Sequence, residues 1–354
     1  MKKIFATLAL SFFCLFQGCS KLQVNWKFKT GGEVHTKPLV YNGIVYFGSD
    51  DQYLYAINEE TGEEKWKFKS ADIIRSSPII DKGIVYFGSN DKYLYSVYLK
   101  NGQRRWRFKT EGGVNATPLL YKNFILFGSD DGHLYVIDKD SRELKWKFKT
   151  NDWITTTPVV EKDKVYFGSN DGNFYAVSLT SGKEIWRFKT NGLINSSPST
   201  KDGVVYFGST DHNLYALDAE TGKKIAFEET VNDKTVYKTW LFPTGDDVSS
   251  NILISKNILY FGSYDNNLYA VERETGNKKW SFQTDAPIMG SPILMKDLLC
   301  FTSLDKYIYL LEQDTGKVKL KFSAEEGISS TPAVNEESIY FGSNDKYLYS
   351  IKQK

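Results

Sequence analysis

The strongest constraint in this sequence is a period. Phe47, in a Phe-Gly-Ser element, recurs as Phe87, Phe127, Phe167, Phe207, Phe261, Phe301 and Phe341. The spacing is 40 residues everywhere except between Phe207 and Phe261, where it is 54. Self-similarity at a fixed period of this size marks a repeat architecture, in which each unit buries its apolar faces against its neighbours. Eight copies with one irregular interval are therefore the frame for every other motif.

The second copy shows what one unit contains. Ser77 to Ile80 reads as a short strand A and Gly83 to Ser89 as strand B. Tyr93 to Val97 reads as strand C and Arg105 to Lys109 as strand D. Asn90-Asp91-Lys92 and Asn101-Gly102 supply the intervening turns. Four short antiparallel strands per 40 residues is the form of a propeller blade. In strand D of the first copy Trp66 and Phe68 fall on one face and Lys65, Lys67 and Lys69 on the other. The Trp recurs at Trp26, Trp66, Trp106, Trp146, Trp186 and Trp280, a structural docking position. The lysines suit an outer edge strand, where charge deters edge-to-edge pairing, and do not argue for a polyanion partner. An Asp stands in all eight B–C turns (Asp51, Asp91, Asp131, Asp171, Asp211, Asp265, Asp305, Asp345). A calcium loop needs several oxygen ligands at alternating positions, whereas one Asp bonding its own turn explains the recurrence without metal.

The segment Val24 to Phe28 looks like a strand D, and the sequence closes on a strand C, Tyr347 to Ile351, with no D of its own. The expectation is an all-β fold: an eight-bladed β-propeller of four-stranded antiparallel blades, its ring closed by the N-terminal strand joining the last blade. Closure removes the open sheet ends of a linear array.

Residues 1–18 carry Lys2 and Lys3, an apolar run and Gly18, the layout of a signal peptide. Residues 19–23 then form a short tether, and 24–354 the propeller. Leu15 to Cys19 is similar to a bacterial lipobox, which implies lipidation of Cys19; ordinary cleavage near Gly18, leaving a soluble exported protein, is the alternative. Two lipid chains on one cysteine would give stable anchoring. Ser20 after that cysteine is similar to outer-membrane-sorted lipoproteins. Lys2 and Lys3 account for the whole difference between 45 basic and 43 acidic residues, so no net basic footprint points to nucleic acid. Of three cysteines, Cys14 and Cys19 lie in this leader, and Cys300 replaces Tyr46 at a packing position on strand B.

Ala56 to Trp66 (AINEETGEEKW) and Ala270 to Trp280 (AVERETGNKKW) resemble the tryptophan-docking motif of the PQQ-type, quinoprotein-like propeller repeat family. The resemblance covers residues 24–354. It implies one of two functions. Quinoprotein dehydrogenases bind PQQ and calcium in the central funnel, with a catalytic Asp and often a vicinal disulfide. BamB-type outer-membrane assembly lipoproteins are scaffolds without a cofactor and share the blade number, export and anchor. This sequence has no adjacent cysteines, and neither calcium ligands nor a catalytic Asp can be assigned. The expectation is a non-catalytic envelope scaffold with no cofactor, monomeric, held to the membrane by its lipid and binding another envelope protein. A PQQ- and calcium-dependent periplasmic dehydrogenase is the alternative. Other chemistry lacks its parts: His35, His133 and His212 occupy non-equivalent positions with no Glu or Cys at metal-ligand spacing, and no glycine loop opens a helix.

Partner residues are sought where the repeat fails. In this family strand A lines the channel, and the D–A and B–C loops share one face. Three and five residues before each strand-A proline the identities scatter, giving Glu33, His35, Arg75, Trp153 and Asp247 as mouth candidates. Ser76, Ser77, Thr156, Thr157, Ser196 and Ser197 then give the channel a polar wall. The 14 extra residues are read as a D–A loop on the same face, with Tyr237, Trp240, Leu241 and Phe242 as its recognition cluster and Ala226 in place of the docking Trp. An inserted loop that merely packs its own aromatics is the alternative reading.

Overall fold

A computed structural model describes residues 21–231 and 234–353, with the side chains of 228–237 left aside. Cys19 and the expected signal peptide lie outside the described residues. Among these residues no helix is long and apolar enough to cross a membrane. Strand β1 (Leu22–Lys29) opens the chain. Then β2 (Leu39–Tyr41), β3 (Ile44–Gly48), β4 (Tyr53–Asn58) and β5 (Glu64–Lys69) form the first blade, from inside to outside A, B, C and D. Eight four-stranded sheets of this kind follow one another around a ring. β1 pairs antiparallel with Tyr347–Gln353 and is strand D of the eighth blade. The pairing starts at Leu22↔Gln353, two residues before the Val24 expected from sequence.

The repeated residues sit where blades meet. A Cβ on Gly48 would fall 2.3 Å from Ile74 Cγ2, the residue that opens the next blade, so Phe-Gly-Ser needs glycine for packing room. The same contact recurs around the ring and closes it, since a Cβ on Gly342 would fall 2.3 Å from Val34 Cγ1. Most docking tryptophans lie across the Gly of the next blade's C–D turn, as Trp66 does over Gly102; after Trp106 the turn carries Arg142, at φ 65°, in place of that Gly. Trp66 Nε1 also donates to Leu99 O at 3.0 Å. Leu320 takes this place in the seventh blade, which faces the one blade that has no C–D turn because β1 supplies its outer strand. The turn aspartates do more than expected. Asp51 accepts from Tyr53 N, Tyr55 Oη and Gly31 N, tying its turn to the connection arriving from the neighbouring blade. The outer-edge cations are exposed and also lie over strand-C rings, as Arg107 does at 4.0 Å from the Tyr93 centroid.

One blade swaps two residues. Thr302 replaces the usual Gly, and Gly290 stands where Thr36, Ser76 or Ser330 stand elsewhere. In the first blade Thr36 Oγ1 bonds Gly48 O at 2.9 Å; in the seventh, Thr302 Oγ1 donates to Ser330 O at 2.7 Å. A Cβ on Gly290 would lie 2.0 Å from Thr302 Oγ1. Gly290→Ser should therefore overpack the site by roughly 1–3 kcal/mol. Adding Thr302→Gly should recover most of that loss, a coupling readable from denaturant unfolding of the two single variants and the double. Simple additivity would refute the compensation.

The largest correction concerns the insertion. Trp240 is the missing docking tryptophan: Nε1 donates to Arg273 O at 2.9 Å, 33 residues on as for Trp26, Trp66, Trp146, Trp186 and Trp280, and the ring lies over Gly276. Phe242 packs edge-on against Phe261 and Tyr269, and both Trp240 and Phe242 are core residues. Strand D of the fifth blade is Leu241–Pro243, paired with Asn213–Asp218, and half-buried Leu241 packs inward. Ala226 instead begins a β-hairpin, Ala226–Val231 with Lys234–Thr239, in which the Tyr237 backbone pairs with Glu228. The hairpin leaves the blade at the strand-D bulge: Lys224 still pairs with Leu217, and Trp240 N bonds Ile225 O at 2.7 Å where the strand resumes. Its root borders a cleft of about 290 Å³ lined by Asp202 of the A–B turn, Val204 at the start of strand B, and Arg273 and Glu274 of the next blade's C–D turn. It thus stands on the outer rim toward the face opposite the mouth.

Candidate functional site

The D–A connections and B–C turns meet on one face, because the turn aspartates bind both. There the residue three before the strand-A proline meets the residue that precedes the turn Asp. Glu33 and His35 come together because alternate residues of an extended segment share a side. His35 Nε2 is 2.9 Å from Glu33 Oε2 and 3.4 Å from Asp50 Oδ2. Arg75 of the next blade grips Asp50 through Nε at 3.2 Å and Nη2 at 2.7 Å. On the other side His35 Nδ1 is 2.7 Å from Ser329 Oγ, which donates to Asn344 Oδ1 at 3.0 Å. Burial opposes charge on Asp50, yet the bonds from His35 and Arg75 prevail and hold its carboxyl at about 2. Three mouth candidates, Glu33, His35 and Arg75, thus form one charge network with Asp50, a residue the sequence reading passed over. Its signal was present: the residue before each turn Asp also varies between blades.

The third blade has a carboxylate without a cation. Asn115 Nδ2 donates to Asn90 Oδ1 and, at 2.7 Å, to Asp130 Oδ2. Desolvation by burial raises Asp130 to about 6, against the bond from Asn115, and the charge of Asp131 adds to the rise. A raised carboxyl retains its proton in the folded state where the unfolded chain has lost it. Its stabilising contribution is therefore complete below the ordinary carboxyl value near 4 and lost as pH climbs toward 6. Asp130→Asn, the residue type already at Asn90 and Asn170, should flatten that segment of the melting-temperature profile. A profile unchanged by the substitution would refute the assignment.

Below the mouth the axial channel has a volume of about 470 Å³. Each blade contributes the residue just before its strand-A proline position: Lys37, Ser77, Thr117 and Thr157 on one half, then Ser197, Asn251, Ser291 and Thr331. These form a belt in which a backbone N–H donates to the next blade's side-chain oxygen. Lys37 N reaches Ser77 Oγ at 2.9 Å, and Ser291 N reaches Thr331 Oγ1 at 3.0 Å. The expected polar wall is thus made by Ser77, Thr157 and Ser197. Ser76, Thr156 and Ser196 are instead fully buried, with hydroxyls spent on backbone oxygens of Ala116, Gly168 and Ser250.

The other candidates are scattered. Trp153 is 52% exposed at the mouth, and Leu193, its equivalent in the next blade, is 44% exposed. Asp247 lies beside His212 with Nδ1–Oδ1 at 3.9 Å, and burial and Asp246 raise its carboxyl. Trp240, Leu241 and Phe242 are withdrawn from this face by their packing, and the Tyr237 side chain lies outside the described residues. Two groupings escaped the sequence search for metal ligands: Glu33, His35 and Asp50, and His212, Asp246 and Asp247, each with ligand atoms within 4.8 Å of one another. Segments 15 to 35 residues apart in sequence come together in them, so local spacing could not show them. In the first, Arg75 already neutralises Asp50.

The channel does not suit PQQ with calcium. Calcium takes six to eight oxygens, carboxylates prominent among them, whereas no Asp or Glu lines this cavity among the described residues. Glu33 and Asp50 at the mouth are engaged by His35 and Arg75, and Cys300 is a buried, free thiol on strand B.

A family model described as "Beta-alanine-activating enzyme, beta-propeller" matches residues 12–239 and 125–354. No curated protein sequence matches the chain. Among solved structures, the computationally designed Ika8 protein is similar with a TM-score of 0.77 at 16% identity, covering 92% of this chain and 98% of that one. BamB from Moraxella catarrhalis is similar with a TM-score of 0.75 at 17% identity, covering 94% and 99%. A quinohemoprotein alcohol dehydrogenase from Pseudomonas putida HK5 has a TM-score of 0.74 at 13% identity, covering 94% and 76%. At these identities the likeness is one of fold, shared by a designed protein, a BamB and an enzyme.

Proposed function

This chain belongs to the propeller family described for the beta-alanine-activating enzyme, with a PQQ-like fold in a BamB-like layout, and from that premise we propose that it is a non-catalytic protein-binding scaffold of the cell envelope. The observation that carries the reading is the pair Trp153 and Leu193. They are exposed at equivalent positions of consecutive blades, on a mouth whose other candidates are charged or polar. Exposed aromatic and aliphatic side chains ringed by polar groups are characteristic of recognition surfaces. The partner is another envelope protein offering an apolar segment to this pair, as in outer-membrane protein assembly. Export and lipidation at Cys19 would hold the propeller at the periplasmic face of the outer membrane.

A pull-down from envelope membranes tests this. The double variant Trp153→Ala/Leu193→Ala should melt like the parent and lose a protein that the parent captures. Equal capture by both would sink the proposal. The hairpin is tested separately by removing residues 226–239, which rejoins Ile225 to Trp240 across an existing hydrogen bond. Deleting 232–245 instead would remove Trp240 and Phe242 from the core. The dehydrogenase reading is tested by adding PQQ and calcium and following alcohol-dependent dye reduction. Sustained turnover would replace the scaffold with an enzyme.

A further inference from the structure

We propose that the axial channel binds a small oxyanion-bearing molecule, a polycarboxylate or a phosphate, with the Lys37 ammonium as its anchor. This goes beyond the scaffold reading, since it concerns the channel interior and not the protein-binding mouth.

The argument is one of hydrogen-bond accounting. Ser77, Thr117, Ser197, Ser291 and Thr331 each accept a backbone or neighbouring N–H at the belt. A hydroxyl that accepts still has its own proton to donate. Among the described residues none of these five protons has an acceptor. The Asn251 amide is in the same condition, since its Oδ1 accepts from Ser197 N at 2.9 Å while its Nδ2 is uncommitted. The inner surface of the belt is therefore a circle of spare donors. Neutral donors alone would be satisfied by water. Lys37 breaks the pattern: a single cation stands where every other blade has a hydroxyl or an amide.

No carboxylate answers it. The channel lining among the described residues contains neither Asp nor Glu, and Lys37 makes no ion pair there. Glu33 and Asp50 at the mouth are held by His35 and Arg75. Lys37 is exposed to the open channel, and desolvation by the surrounding walls lowers its pKa with no anion beside it to offset the effect. A volume of about 470 Å³ suits a small molecule. Charge-assisted bonds from an ammonium together with hydroxyl donors converging from several blades are what an oxyanion requires.

The substitution Lys37→Ser tests this without threatening the fold, because serine is the residue of the next blade at this position. Isothermal titration of the full chain at low ionic strength, with citrate and with inorganic phosphate as separate probes, should show saturable binding of at least one of them. The two arms distinguish a carboxylate from a phosphate ligand. Lys37→Ser should weaken that binding at least tenfold and abolish the anion-induced rise in melting temperature. Its melting temperature without anion should equal or exceed the parent's. Failure of the parent to bind either probe, or equal binding by Lys37→Ser, would overturn the proposal.

Discussion

Truncating Trp240 to alanine should destabilise the propeller by about 3–5 kcal/mol, the range for emptying a buried aromatic site. Trp240 is 1% exposed, stands edge-on to Tyr206, and spends its indole N–H on Arg273 O. The loss combines burial, a cavity between the fifth and sixth blades, and an unpaired carbonyl. Trp153→Ala is the control: at 52% exposure it should stay within about 0.5 kcal/mol of the parent. Chemical denaturation of both variants measures the contrast. A loop-tip Trp240 would give the opposite result, with little change in stability on removing it.

Removing residues 21–29 should have a still larger effect. β1 supplies the whole outer strand of the eighth blade, and its Trp26 Nε1 bonds Glu59 O of the first blade at 2.8 Å. Phe28 lies edge-on to Phe47 and Tyr55, so this strand closes the ring by packing as well as by pairing. Buried side chains such as Leu22 and Trp26 each contribute roughly 1.5–3 kcal/mol. Their loss would leave Tyr347–Gln353 as a bare edge, open to pairing with other chains. The expected outcome is no folded monomer by size exclusion and circular dichroism. A permuted chain carrying residues 22–29 after Gln353, joined through a Glu-Glu-Thr-Gly turn like that of the first blade, should fold again. A truncated chain that remains monomeric and cooperative would show that the ring does not depend on this closure.

The location of the insertion was legible and was misread. Trp240-Leu241-Phe242 repeats the Trp-x-Phe of Trp186-Arg187-Phe188, and Trp280 follows 40 residues later, so the period resumes at Trp240. Placing the docking position at Ala226 hid this, because an insertion inside strand D leaves the preceding C–D turn intact. The exchange between Gly290 and Thr302 was also written in the sequence, as two departures in one copy. Only a contact between strand A and strand B makes them a single event. The mouth network was not legible at all, since nothing local relates His35 to Ser329, 294 residues away.

The sequence by itself determined the blade, the number of blades and the way the ring closes. Each blade is made from consecutive hairpins, so its strands, turns and docking tryptophan depend on neighbours in the chain, and a fixed period reports them directly. The tertiary structure alone decided what the blades jointly surround. Residues 40 apart become neighbours only when the ring closes around its axis. That closure turns Lys37 from one variable residue into the one lysine or arginine among the described residues that line a hydroxyl-rich channel, and Asp50 into the partner of both His35 and Arg75.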